Sequence, residues 1–158
     1  MKNRNWRVYL FWILVAEGVG ALSGWLSRQG MEVYSQTVTQ PPLSPPMILF
    51  PIVWGLLYAL MGIGVARIWM APESPQRSRG LNLFITQLVV NFFWSLIFFN
   101  MQAFGFAFLW LLLLWGLVLW MTVSLYRTDK LAGILQMPYL LWLTFAAYLN
   151  FMVWILNR

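Results

Sequence analysis

Residues 104–126 read FGFAFLWLLLLWGLVLWMTVSLY, a run without a single charged side chain. At 1.5 Å per residue, a helix of this length spans about 35 Å. That exceeds the ~30 Å hydrocarbon core of a bilayer. Backbone N–H and C=O groups find no water in lipid, so a single run of this kind must close its hydrogen bonds internally, as an α-helix. The stretch therefore decides the fold class: an all-α membrane protein.

Four further stretches meet the length requirement. With the first they give spans at about Val8–Leu26 (8–26), Phe50–Met70 (50–70), Leu81–Phe99 (81–99), Phe104–Tyr126 (104–126) and Pro138–Leu156 (138–156). Pro51 and Pro138 lie near the starts of their spans, where a missing N–H costs little; a kink one turn into a longer helix is the other reading. The basic amino terminus ahead of the first span resembles a signal peptide. Glu17 within the run and the lack of an A-x-A site favour a retained helix. The 158 residues thus form one five-helix transmembrane domain, 1–158.

Composition agrees. Hydrophobic residues make up 61% and charged residues 9% of the chain, which leaves too little polar surface for a water-soluble domain. The net charge of +6 is spread over span ends and loops rather than gathered on a basic face, so nucleic acid is not an expected partner. Lys2, Arg4, Arg7, Arg67, Arg77, Arg79, Arg127 and Lys130 fall on one side of the membrane, and only Arg28 and Arg158 on the other. The positive-inside rule then predicts a multi-pass protein of a cell membrane, amino terminus in and carboxy terminus out. With no Cys and no His, the chain has no thiolate nucleophile, no Cys or His metal site and no imidazole for acid–base chemistry. A metal site is not expected, nor is a required cofactor.

Only the first connection, residues 27–49, is long. It carries Pro41-Pro42-Leu43-Ser44-Pro45-Pro46 and reads as a stiff, extended lid; a plain exposed connector is the alternative. Polar residues mark inward faces, because they are costly in lipid. Gln87, Asn91 and Ser95 recur at four-residue spacing, as do Trp142, Ala146, Asn150 and Trp154, while Trp54, Tyr58 and Met61 form a third stripe. Converging stripes suit a cavity with aromatic walls for a small planar hydrophobic ligand. For each asparagine taken singly, a structural hydrogen bond between helices is the competing role. The fourth span has no polar group from Leu109 to Met121 except indoles, and is expected to face lipid or another subunit. Gly20 and Gly24 form a GxxxG pair for close helix packing, within the bundle or between copies. Glu17 is the one acid well inside a span: a functional carboxylate, or a protonated group bonded to a neighbour.

The same residues resemble the TspO/translocator protein family, the tryptophan-rich sensory proteins or peripheral-type benzodiazepine receptors. Three blocks carry the resemblance in order: Pro45-Pro46 with Phe50-Pro51-Ile52-Val53-Trp54, Leu57-Tyr58 and Met61-Gly62; Gln87-Leu88, Asn91, Trp94 and Phe98-Phe99; and Pro138-Tyr139-Leu140, Trp142, Phe145-Ala146, Leu149-Asn150 and Trp154. The resemblance implies a five-helix bundle, commonly a homodimer, with a pocket under the first loop. It further implies binding of porphyrins such as protoporphyrin IX and of isoquinoline carboxamide or benzodiazepine ligands. Carried onto matching positions, the pocket would comprise Trp54, Asn91, Trp142, Phe145, Ala146 and Leu149, with Tyr34 and Pro45 from the loop. Leu43 and Val33 replace tryptophans usual in the family, and Phe151 and Ile155 replace the Tyr and Arg of the animal sterol motif. Val123, Tyr126 and Lys130 fit a loose sterol pattern elsewhere, of little weight.

Four functions follow as expectations. The leading one is a receptor-like binder acting in tetrapyrrole sensing, trafficking or disposal. The second is a light- or oxygen-dependent porphyrin-degrading enzyme with Trp54 and Trp142 as its redox-active side chains. The third is a transporter of porphyrin or another small apolar molecule, which the lack of internal repeats disfavours. The fourth is an accessory membrane subunit without a ligand.

Overall fold

The computed structural model describes the backbone of residues 2–158 and the side chains from residue 5 onward. The side chains of Lys2 and Arg4, counted above among the cations of one face, lie outside that set. Five helices are long and apolar enough to cross a membrane: α1 (Lys2–Leu26), α3 (Leu49–Trp69), α4 (Pro75–Ser95), α5 (Phe104–Thr128) and α7 (Met137–Leu156). Two short helices join them, α2 (Arg28–Thr37) and α6 (Lys130–Ile134), and α4 ends in a π-helical turn over Leu96–Asn100.

Local chemistry sets the boundaries. Ser74 caps α4 by accepting from the Arg77 N–H at 3.1 Å, and Pro75 occupies the first turn. The third span accordingly starts six residues before Leu81, through a polar turn that hydropathy leaves out. Arg77 then folds back over Trp69, 5.0 Å from its ring centroid, and donates to the carbonyls of Ile68 and Trp69 at the end of α3. Asp129 caps α6 through the N–H groups of Leu131 and Ala132, and pairs with Arg67 at 3.0 Å. Pro51 and Pro138 both fall in first turns, so neither kinks a helix interior.

α1 packs chiefly on α3, α4 on α5, and α5 on α7. Where α1 meets α3 there is no room for a side chain at Gly62: a Cβ there would lie 2.5 Å from Ile13 Cα. The GxxxG pair divides. Gly20 lies against the Tyr58 ring, whereas Gly24 has nothing within 4 Å of an added Cβ.

Two sequence expectations need correction. Residues 27–49 are not extended throughout, because Arg28–Thr37 is helical. Nor does the fourth span face lipid all round. Ala107, Leu111, Leu114, Val118, Met121 and Leu125 are all buried, a 3–4 spaced stripe wedged between α4 and α7. A uniformly apolar sequence carries no period from which to read that face.

The cover is tied down at its far end. Thr39 and Asn157 exchange hydrogen bonds, N–H to Oδ1 at 2.9 Å and Nδ2 to carbonyl at 2.8 Å. Tyr148 donates to the Pro42 carbonyl. Tyr34 packs on Phe98 and Phe99 of the π-turn, where burial pushes its hydroxyl up to about 12, so it stays neutral near pH 7.

Gly62→Ala should lower thermal stability in detergent, by about 1–3 kcal/mol, because the added methyl meets backbone. Gly116→Ala, at a helical site where nothing lies within 4 Å of a Cβ, should be neutral or slightly stabilising. Equal melting shifts in the two variants would contradict this packing.

Candidate functional site

Beneath the cover, α1, α3, α4 and α7 enclose a cavity of about 460 Å³. It arises because large rings keep α3 and α7 apart. Trp54 stands edge-on to Trp142 with centroids 6.5 Å apart, Phe50 meets Trp142 at 5.8 Å, and Trp54 meets Tyr139 at 6.1 Å. Small residues on the facing helices widen the space: Gly20, Ala21 and Gly24 of α1 and Gly55 of α3 all border it.

The floor is a series of hydrogen bonds. The Tyr58 hydroxyl donates to Asn91 Oδ1 at 3.2 Å, Asn91 Nδ2 donates to the Tyr139 hydroxyl at 2.6 Å, and that hydroxyl donates to Gln87 Oε1 at 2.7 Å. Gln87 Nε2 lies 3.6 Å from Met61 Sδ. Three helices are cross-linked in this way, and Tyr58 and Asn91 also border the cavity. The Trp142 indole N–H is buried without a partner among the described residues. An unpaired buried donor carries a free-energy cost that a ligand acceptor within reach would relieve.

Of the residues singled out from sequence, Trp54, Tyr58, Asn91, Trp142, Ala146 and Glu17 border this space. Four do not. Tyr34 is turned onto the π-turn by the α2 helix, and Pro45 sits partly buried in the cover. Phe145 packs behind the wall, on Trp142 at 5.6 Å and stacked on Tyr148, and Leu149 is half-buried elsewhere on α7. The α7 stripe separates for a geometric reason: four residues overshoot a 3.6-residue turn, so each step drifts by about 40°. Trp142 and Ala146 reach the cavity. Asn150 instead accepts from Trp94 Nε1 at 3.1 Å and donates to the Phe104 carbonyl, the structural role that competed for it. Trp154 lies over Gly105.

The cavity also takes in Met31 and Met47 from the cover, Phe50 at the head of α3, and Trp94, Ser95 and Phe99 at the end of α4. Phe50, Trp94 and Phe99 stand inside the resemblance blocks without having been read as site residues. Leu43, at the position of a usual family tryptophan, is 78% exposed. It adopts a left-handed backbone, φ 70°, in a turn closed by the Ser44 hydroxyl on the Pro41 carbonyl. It therefore contributes no wall, and flexible Met47 fills the cover side instead. Glu17 is the only ionisable acid on the lining, no base joins it, and it makes no hydrogen bond among the described residues.

Replacing Tyr139 by Phe strands the Asn91 amide donor and the Gln87 carbonyl, both buried. Unfolding in detergent should become easier by about 1–2 kcal/mol, between the values usual for buried soluble groups and for membrane helices. A melting temperature equal to that of the unaltered protein would show that the series carries no weight.

Comparison with known proteins gives the family. The model of the TspO/MBR family matches residues 12–155. Protein CrtK of Rhodobacter capsulatus is 38% identical, over 77% of this chain and 76% of its own length. The human translocator protein is 33% identical, over 89% of this chain and 85% of its own. The tryptophan-rich sensory protein of Cereibacter sphaeroides is 31% identical, over 98% and 94%. With the match running from the first span into the last, the chain belongs to the TspO/MBR family.

Proposed function

We propose that this membrane protein is a receptor-like binder of tetrapyrroles, with protoporphyrin IX as the leading ligand, acting in their sensing, trafficking or disposal. The observation that carries this reading is the pair of perpendicular indoles, Trp54 and Trp142, on the wall of a cavity of about 460 Å³. That volume lies within the range usual for small-molecule sites. A flat aromatic plate lying face-on to one indole meets the edge of the other, and both arrangements are attractive. The arrangement asks nothing of a metal or an imidazole. Isoquinoline carboxamide and benzodiazepine ligands, planar and largely apolar, would use the same walls. By the distribution of cations, the cover faces the outer side of the membrane and the Arg67–Asp129 end faces the cytoplasm.

The carboxyl group on the lining adds a constraint. With Glu17 present and no base beside it, the carboxylates of a porphyrin gain nothing by entering. The plate therefore inserts by its apolar edge and leaves its acids at the mouth. Light- and oxygen-dependent breakdown of a bound porphyrin would involve the same two indoles, and titrations in the dark separate binding from it.

Protoporphyrin titrated in the dark should quench tryptophan fluorescence to saturation. Trp142→Ala should raise Kd by about 10–100-fold, equivalent to roughly 1.4–2.8 kcal/mol. Gly24→Leu should abolish binding without loss of stability, since its Cβ meets nothing and only the cavity is filled. Unchanged affinity in both variants would place the ligand elsewhere.

The porphyrin dimethyl ester should bind at least as tightly as the diacid, and Glu17→Gln should tighten the diacid selectively. A strong preference of the unaltered protein for the diacid would reverse the proposed orientation.

A further inference from the structure

At the end of the bundle opposite the cover, α4 begins beside the end of α5. A groove of about 40 Å³ between them is lined by Gln76 and Arg79 of α4 and by Trp120, Val123, Ser124 and Arg127 of α5. The helices can approach here because residue 80 is glycine: a Cβ there would lie 2.9 Å from the Leu125 side chain.

Neither arginine has an ion-pair partner among the described residues. The one ion pair among the described residues joins Arg67 to Asp129, whose other oxygen caps α6. Glu73, three residues before Gln76, forms no ion pair with any described residue. Neither Arg79 nor Arg127 makes a side-chain hydrogen bond with any described residue, in contrast to Arg28, Arg67 and Arg77. Two like charges bordering one groove repel, and an anion between them reverses the sign of that interaction.

Below the pair the surface is apolar. Leu109, Leu113, Gly116, Trp120, Val123 and Arg127 follow 3–4 spacing and so share one face of α5. Leu109, Leu113, Trp120 and Val123 are exposed, and nothing fills the space beside Gly116, which leaves a furrow. Arg127 stands about 10 Å along the helix from Trp120. The furrow lies on a membrane span, with an indole just below the cations, at the level where interfacial tryptophans sit.

We propose that Arg79 and Arg127 hold the phosphate of an anionic phospholipid whose acyl chain lies along the Leu113–Val123 face of α5. Guanidinium forks donate to phosphate oxygens in pairs, and basic pockets between spans on the cation-rich side suit such headgroups. The apolar furrow separates this occupant from a soluble anion, which would need only the charges. The site is remote from the cavity and does not depend on what the cavity binds.

The test is lipid retention by the purified full chain, read by native mass spectrometry in mixed micelles of phosphatidylglycerol and phosphatidylcholine. The unaltered protein should retain the anionic lipid several-fold over the zwitterionic one. Arg79→Gln with Arg127→Gln should bring the ratio near parity, the paired Lys substitutions should keep most of it, and Trp120→Ala should reduce it. Millimolar inorganic phosphate should not displace the lipid. Arg28→Gln, at the opposite end, is the control and should retain the preference. If the double variant loses helical signal, Arg79→Gln alone replaces it, since that exposed side chain supports nothing within the fold. No preference in the unaltered protein, or an undiminished one in the glutamine variants, overturns the proposal. Full displacement by phosphate, or indifference to Trp120→Ala, overturns the lipid assignment in favour of a soluble anion.

Discussion

Tyr58, Asn91, Tyr139 and Gln87, bonded in series across α3, α4 and α7, fix the distance between helices that have little other reason to stay at one spacing. Lipid tails are as apolar as leucine, so burial alone draws membrane helices together only weakly. Polar links and close backbone contact must supply the geometry. In this chain the two devices sit at different depths. The polar series lies at the level where the bundle opens, and the close approaches of Gly62 and Gly64 lie where it closes. The cavity exists because three helices are held at the separation this series sets, with the rings of Trp54 and Trp142 keeping α3 and α7 apart above it.

The two ends of the bundle differ accordingly. Toward the Arg67–Asp129 end, Met61, Val65, Ile68, Phe84, Leu125 and Leu143 are all buried, and Gly62 and Gly64 abut Ile13 and Gln136. Toward the cover, glycine and alanine on α1 face tryptophan and phenylalanine across open space. A binder needs one open end and one packed end, and both are present; passage across the bilayer would need the packed end, with its buried side chains and abutting glycines, to open in turn. That asymmetry is the physical ground for preferring binding to transport. The cover suits the same role. It is tied to the carboxy-terminal end of α7 through Thr39 and Asn157, and its contribution to the lining is two flexible methionines rather than rigid rings.

Much of this was legible in the sequence, and what was not had definite causes. The spans were readable because twenty apolar residues in a row have few alternatives in lipid. Trp54, Tyr58, Asn91 and Trp142 were readable because Asn91 is a polar group costly in lipid and the two aromatic stripes coincide with it at helical spacing. α2 was hidden by its polar composition and by the prolines after it. Its signal was Met31, Tyr34 and Val38 at spacings of three and four, of which the first borders the cavity and the other two pack on the π-turn cluster. The inner face of α5 was unreadable in principle, since both faces are apolar. Asn150 and Trp154 were grouped with Trp142 by a four-residue spacing that drifts off the cavity within two steps.

The most direct measurement is a structure of the protein in lipid at saturating protoporphyrin. The plate should lie in the cavity against Trp54 and Trp142, beneath the α2 cover, its carboxylates pointing out of the cavity and the Tyr58–Asn91–Tyr139–Gln87 series intact below it. Porphyrin density confined to the lipid-facing surface, with Trp54 and Trp142 arranged as in the free protein, would contradict it.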